Sequence, residues 1–185
     1  MINEVLEETK ERMGKSENAF ESELTKVRTG RASQSMLDSV KVDYYGTQTP
    51  LPQMATVSVP ESRLLTVKPW DVSVINEVEK AILKANLGLT PSNDGKLIRI
   101  SIPPLTEERR KEIVKSVAKT CEDFKVAVRN IRRDSNEMIK ELQKDGDISE
   151  DDSFKGQKQV QDLTDASIKK LDEIFAAKEK EILEV

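Results

Sequence analysis

At 185 residues the chain has room for one sizeable domain or two small ones, and with 35% charged and only 4% aromatic residues its surface must be built largely from long charged faces. The 36% of apolar residues suffices for a packed core and argues against wholesale disorder, while the net charge is only −4. No apolar run approaches the roughly 18 to 20 residues of a membrane span. Histidine is absent and the single cysteine, Cys121, excludes an internal disulfide.

The acidic start, Met1 to Glu8, lacks the basic-then-apolar signature of a secretory signal, so a soluble, intracellular protein is expected. The first element reads as a helix from about Ile2 to Thr29. Its inward positions are Ile2, Leu6, Met13, Phe20, Leu24 and Val27, with Thr9 and Ser16 as weaker members and Gly14 as an interruption. From Gly30 to Pro104 the period changes. Val40, Val42 and Tyr44 alternate with polar residues, as do Val57 and Val59, then Leu65 and Val67, with Pro50, Pro52, Pro60 and Pro69 as punctuation. A short helix is expected from about Val74 to Asn86 with Ile75, Val78, Ile82 and Leu83 on one face. Asn93-Asp94-Gly95 then turns the chain into a strand over Leu97–Ile102. Tyr44, Tyr45 and Trp70 are read as core of this small sheet rather than as a base-stacking platform.

A second long helix starts after Pro103-Pro104-Leu105, with Thr106 as N-cap and Glu107 and Glu108 favouring its first turn, and it runs to about Lys144. Asp145-Gly146-Asp147 ends it. Ser149 caps a third helix that turns Val160, Leu163, Ile168, Leu171, Ile174, Phe175 and Ile182 inward. The short connection makes the last two helices an antiparallel hairpin. The fold expected is therefore α+β: a long antiparallel three-helix bundle, residues 1–30 plus 105–185, with a small α+β (β/α/β) domain, residues 31–104, inserted between the first and second bundle helices. Thr29, Gly30, Arg31, Pro103, Pro104 and Leu105 form a two-stranded hinge between them.

The second long helix carries an apolar or small seam at Val114, Val117, Cys121, Phe124, Val128, Ile131, Ser135, Met138 and Leu142, in alternating steps of three and four. Away from it, Lys125, Arg129, Arg132 and Arg133 recur at helical offsets and are expected to share an outer face. Arg109 to Arg133 holds nine Lys and Arg against three Asp and Glu, a local +6 in a chain of net −4. An acidic protein that gathers arginine on one helix face aims that face at phosphate. Arg110 extends the track along the same helix, and Arg28 and Arg31 flank the hinge. Arg133 also has Glu137 at i,i+4, the spacing of an intrahelical ion pair.

Enzymatic chemistry finds no support. Gly14-Lys15-Ser16 lacks the earlier glycine of a phosphate loop, Thr9 standing in its place, and it falls inside a helix. Asp145, Asp147 and Ser149 have the opening spacing of a calcium loop, but Glu150 stands where its turn glycine belongs. Without histidine or a second cysteine no zinc site or Ser/His or Cys/His pair can form. Catalytic residues, metal and cofactor are expected to be absent.

Three stretches carry a family resemblance: Leu24-Thr25-Lys26-Val27-Arg28-Thr29-Gly30-Arg31-Ala32-Ser33, then Ile98 to Arg110 around Pro103-Pro104-Leu105-Thr106-Glu107-Glu108, and Val128-Arg129-Asn130-Ile131-Arg132-Arg133-Asp134. In this order and at these separations the chain resembles the bacterial ribosome recycling factors along essentially its full length. The resemblance implies a cytoplasmic factor of transfer-RNA-like shape that hydrolyses nothing itself. With elongation factor G, which uses the GTP, it disassembles the post-termination ribosome into subunits. It also implies a bundle lying on large-subunit ribosomal RNA near an intersubunit bridge, and a smaller domain pushed by elongation factor G. No DNA or membrane partner is implied, and a monomer is expected. The alternative from the residues alone is a coiled-coil structural or interaction protein that binds no nucleic acid. Such a protein should show a second exposed apolar stripe, whereas one seam per helix is visible here.

Overall fold

The computed structural model describes residues 1–184. They divide into two compact units, Met1–Val27 with Glu107–Glu184, and Arg28–Thr106. The first contains three helices, α1 (Ile2–Thr25), α3 (Glu107–Lys144) and α4 (Glu150–Leu183). Between α1 and α3 the second unit places β1 (Lys41–Tyr44), β2 (Thr47–Pro50), β3 (Ala55–Glu61), β4 (Leu64–Pro69), α2 (Ile75–Lys84), β5 (Thr90–Asn93) and β6 (Ile98–Ser101). A three-helix bundle with an inserted α+β module is thus the observed fold.

Each bundle helix ends where its local chemistry dictates. At the end of α3, Gly146 takes φ +80°, a left-handed conformation that glycine adopts without steric cost. Its N–H donates to the Gln143 carbonyl at 3.1 Å and the Asp147 N–H donates to Leu142 at 3.0 Å, the paired bonds of a Schellman stop. The Ser149 hydroxyl then accepts from the Asp152 N–H at 3.1 Å and caps α4. Helix α1 stops at Thr25, four residues short of the sequence expectation. The Lys26 and Val27 N–H groups bond to Glu23 and Leu24, three residues back, so the last turn tightens. Arg28 is already committed to the other unit, where it donates to the Leu87 carbonyl at 2.6 Å.

The bundle core gathers Met13, Phe20 and Leu24 of α1, Val117, Cys121, Val128 and Ile131 of α3, and Leu171 and Ile182 of α4. Small and hydroxylic residues let the helices approach. The Thr9 and Ser135 hydroxyls lie 2.6 Å apart across α1 and α3. Whichever donates, the other can give its proton to a carbonyl one turn back, Val5 or Ile131. At Gly156 an added Cβ would stand 3.2 Å from Ile139 Cδ1 and 3.4 Å from Ile2 Cγ2, so all three helices meet there. Gly14, in contrast, has nothing within 4 Å of such a Cβ. The seam of α3 departs from the expected heptad at one place. Met138 is exposed and Ile139 is fully buried instead. A strict seven-residue repeat drifts about 20° per heptad on a 3.6-residue helix, and by about the seventh turn from Val114 the next residue faces inward.

In the second unit β1 and β2 form a hairpin, and the other strands make an antiparallel sheet in the order β3-β4-β6-β5. Its core includes Leu37, Val40, Val42, Leu51, Leu65, Val67, Val78, Ile82, Ile98 and Ile100. Three expectations fail here. Val59 is exposed because the β3–β4 register shifts between Ser58 and Glu61, around Pro60, which has no N–H to give the ladder. Leu83 lies off the buried face of α2. Tyr45 and Trp70 are not core: they are 74% and 65% exposed, and Tyr44 is half-buried.

Candidate nucleic-acid interface

On α3 the expected four-residue cluster separates into two groups. At about 100° per residue, Arg129, Arg133 and Lys140 fall within about 40° of one another on the solvent side. Arg133 and Lys140 are exposed and Arg129 is half-buried. Arg133 makes no ion pair with Glu137, and neither Arg129 nor Arg133 pairs with a carboxylate among the described residues. Lys140 belongs to the same stripe and was missed by the sequence reading, although its offset of seven from Arg133 is the available signal. Arg132 leans toward α4. Its Nη1 donates to Gln161 Oε1 at 3.4 Å, and Gln161 in turn donates to Asp165 at 2.8 Å, which fixes the amide with its oxygen toward the guanidinium. A neutral amide leaves the Arg132 charge intact and most of its donors unused.

Lys125 does not share this outer face, and here the sequence expectation is corrected. Its side chain is only 14% exposed, with Nζ 2.6 Å from Asp172 and 3.1 Å from Glu122. The Asp172 hydrogen bond, reinforced by Glu122, raises the ammonium above the usual lysine range despite desolvation. Its charge is spent on joining α3 to α4. One helix taken alone shows the right offsets, but the partner carboxylate comes from a residue 47 positions later in sequence.

Arg110 is half-buried on α3 and donates from Nη1 to the Leu183 carbonyl near the end of α4, at 3.4 Å. Arg28 and Arg31 lie in the second unit, Arg28 exposed and Arg31 half-buried. Thr29 and Gly30 are buried, Gly30 with φ +80°, and a Cβ on Gly30 would meet Leu105 Cγ at 3.2 Å. Pro103 and Pro104 are exposed. On α4, Phe154 is 73% exposed and stands seven residues before Gln161, on the same helix edge.

Among the described residues, Arg129, Arg132 and Arg133 of the bundle therefore have no carboxylate partner. Planar guanidinium groups fork to phosphate oxygens, and an array of them along a helix tracks a nucleic-acid backbone. Cys121, buried on the seam with its thiol pushed up chiefly by burial, offers no nucleophile at neutral pH.

Comparison with known proteins is decisive about family. The family model described as ribosome recycling factor matches residues 20–183. The ribosome-recycling factor of Desulforapulum autotrophicum is 69% identical over 185 residues, covering 100% of both chains. That of Desulfosudis oleivorans is 62% identical with the same coverage. A solution structure of the ribosome recycling factor is similar with a TM-score of 0.78 and 39% identity, covering 100% of this chain and 98% of that one. Models for the T. thermophilus ribosome recycling factor and the E. coli elongation factor G bound to the E. coli post-termination complex contain a chain similar at TM-score 0.66 and 44% identity, with 99% of each chain covered. The motifs around Gly30, Pro103 and Arg132 sit within the matched span, and this chain belongs to the ribosome recycling factor family.

Proposed function

We propose that Arg129, Arg132 and Arg133 of α3 hold the bundle against large-subunit ribosomal RNA while the chain acts with elongation factor G and GTP on the post-termination ribosome. Disassembly of that complex into subunits is the activity of the family. The chain is not itself an enzyme and needs no cofactor, since GTP is used by elongation factor G. The observation that carries the RNA reading is the three arginines on α3, Arg129, Arg132 and Arg133, without carboxylate partners among the described residues, in a chain whose net charge is −4. The other arginines of the bundle are engaged: Arg12 with Asp134, Arg109 with Glu112 and Arg110 with the Leu183 carbonyl. Charge left unmatched on one helix face marks the side from which a polyanion is approached. Each phosphate engaged releases condensed counterions, so affinity falls steeply with salt.

Arg110, Arg28 and Arg31 are proposed as additional RNA contacts. Lys125, spent on Asp172 and Glu122, is proposed as a positioning residue instead. Thr29, Gly30, Arg31, Pro103, Pro104 and Leu105 are proposed as the hinge between an RNA-binding arm (1–30 plus 105–185) and the inserted domain (31–104). A cytoplasmic monomer is the working form. The mechanism is mechanical: RNA bound along α3, a helix of about 57 Å at 1.5 Å per residue, anchors a stiff body whose intrusion displaces an RNA intersubunit bridge.

A subunit-splitting assay tests the reading. Light scattering from post-termination ribosomes should fall only when this chain, elongation factor G and GTP are all present. Unchanged scattering with the three together, or an equal fall without elongation factor G, refutes it.

A further inference from the structure

The arginine face of α3 is not made of charge alone. Val126 stands three residues before Arg129 and seven before Arg133, and Asn130 follows it by one turn. At about 100° per residue, Val126 falls within about 20° of Arg133 and about 40° of Asn130, so helix geometry alone puts the three on one face. All three are exposed, Val126 by 50%.

The bundle gives no reason for Val126 and Asn130. The buried seam of α3, through Val117, Cys121, Val128 and Ile131, runs on nearly the opposite side of the helix. The Asn130 amide makes no hydrogen bond among the described residues. A β-branched valine and an asparagine are both poorer helix formers than alanine, and here they face water in mid-helix. The stretch from Phe124 to Arg133 holds no carboxylate. Glu122, one turn before Val126, is held by Lys125 at 3.1 Å, and that same Nζ binds Asp172 of α4. An anion approaching this face therefore meets two guanidinium groups, an apolar pad and an unused amide.

Phosphate satisfies the arginines and offers nothing to a valine. A nucleotide strand offers both kinds of surface, because each phosphate is joined to a sugar and a base with apolar faces and hydrogen-bonding edges. An amide carries donors and an acceptor and suits such an edge.

We propose that Val126 and Asn130 are the uncharged half of the RNA contact. Val126 packs on the sugar or base of a nucleotide whose phosphates are held by Arg129 and Arg133, and the Asn130 amide hydrogen-bonds the same nucleoside. The assignment rests on the function proposed above and deepens it, by giving the arginine face a component of affinity that salt does not screen.

The test compares Val126→Ala, Asn130→Ala and the double variant with the wild-type chain and with Arg133→Ala. Affinity for vacant ribosomes is measured at several salt concentrations, and thermal unfolding is followed in parallel. Each single variant should bind roughly 3- to 10-fold more weakly. Its plot of log affinity against log salt should run parallel to that of the wild type, where Arg133→Ala gives a flatter one. Val126→Ile keeps the apolar pad and should avoid most of the loss. Melting temperatures should be no lower than that of the wild type, since alanine is the better helix former at both positions. Wild-type affinity in the double variant overturns the proposal. So does a flattened salt slope, which would make the loss one of arginine placement, or a weakened affinity that comes with a lower melting temperature, which would make both residues structural. The photoreactive p-benzoylphenylalanine in place of Val126 should attach to ribosomal RNA; attachment to a ribosomal protein instead overturns the assignment. If Arg133→Ala itself changes neither affinity nor slope, the RNA reading of the whole face fails and takes this contact with it.

Discussion

Lys125 and Arg133 lie eight residues apart on one helix, and the structure gives their removal opposite consequences. Lys125→Ala deletes two ion pairs, to Asp172 at 2.6 Å and to Glu122 at 3.1 Å, from a side chain that is 14% exposed. The abandoned carboxylates are both more than half exposed and rehydrate readily, so the loss is the packed stem and the charged hydrogen bonds, about 1–2 kcal/mol. For a chain of this size that lowers the melting temperature by roughly 3–6 °C. Arg133→Ala removes an exposed side chain and places a better helix former there, so stability should stay within about 0.5 kcal/mol. Binding reverses the order. Losing one phosphate contact should flatten the plot of log affinity against log salt by about 0.7 to 0.9 for Arg133→Ala, and hardly at all for Lys125→Ala. The assays are binding to vacant ribosomes between 50 and 200 mM salt and thermal unfolding followed by circular dichroism. The pH dependence adds a check. The raised Lys125 pKa means its stabilisation is fully present below the ordinary lysine value of about 10.4 and is lost as pH climbs through the folded value. The melting-temperature gap between wild type and Lys125→Ala should therefore hold across neutral pH and close in strong alkali. A flattened salt slope for Lys125→Ala with an unchanged melting temperature would refute the reasoning.

Gly14→Ala should stabilise the chain by roughly 0.5–1 kcal/mol, since nothing lies within 4 Å of the new methyl group and helix propensity improves. Gly156→Leu, where Ile139 and Ile2 already stand at contact distance, should destabilise by about 1–3 kcal/mol; both are read from urea midpoints. Gly30→Ala should cost about 1–2 kcal/mol through its φ of +80°, because the Leu105 side chain can shift but the backbone angle cannot relax. Cys121 should resist alkylation at pH 8 in the native chain and react at the rate set by bundle opening, so added urea below the midpoint should accelerate labelling.

What the sequence reveals and what it hides divide along a physical line. The ends of α3 and α4 were legible because their determinants are local: Gly146 and Ser149 act within four residues of themselves. The early seam of α3 was legible because periodicity is local too, and it failed only at Met138, after enough turns for the mismatch between 3.5 and 3.6 to accumulate. β2 and β5 were not read as strands, since each is four residues long and carries a proline, and only pairing with β1 and β6 defines them. The same division runs through the site. Counting arginines on α3 needs one helix, and that reading placed Arg129 and Arg133 on the solvent side. Knowing which cations keep their charge needs the partner helix, and Asp172 took Lys125 out of the set while Gln161 left Arg132 in it. Tyr45 shows the limit most sharply. Alternation assigns an aromatic in a small sheet to the core, but the turn geometry at Tyr45-Gly46 and a carboxylate 26 residues away aim the ring outward. A composition-level rule fails there because the residue is placed against its own backbone preference. Residues placed against local preference, and held there by distant hydrogen bonds, are where a functional demand on a fold should be sought first.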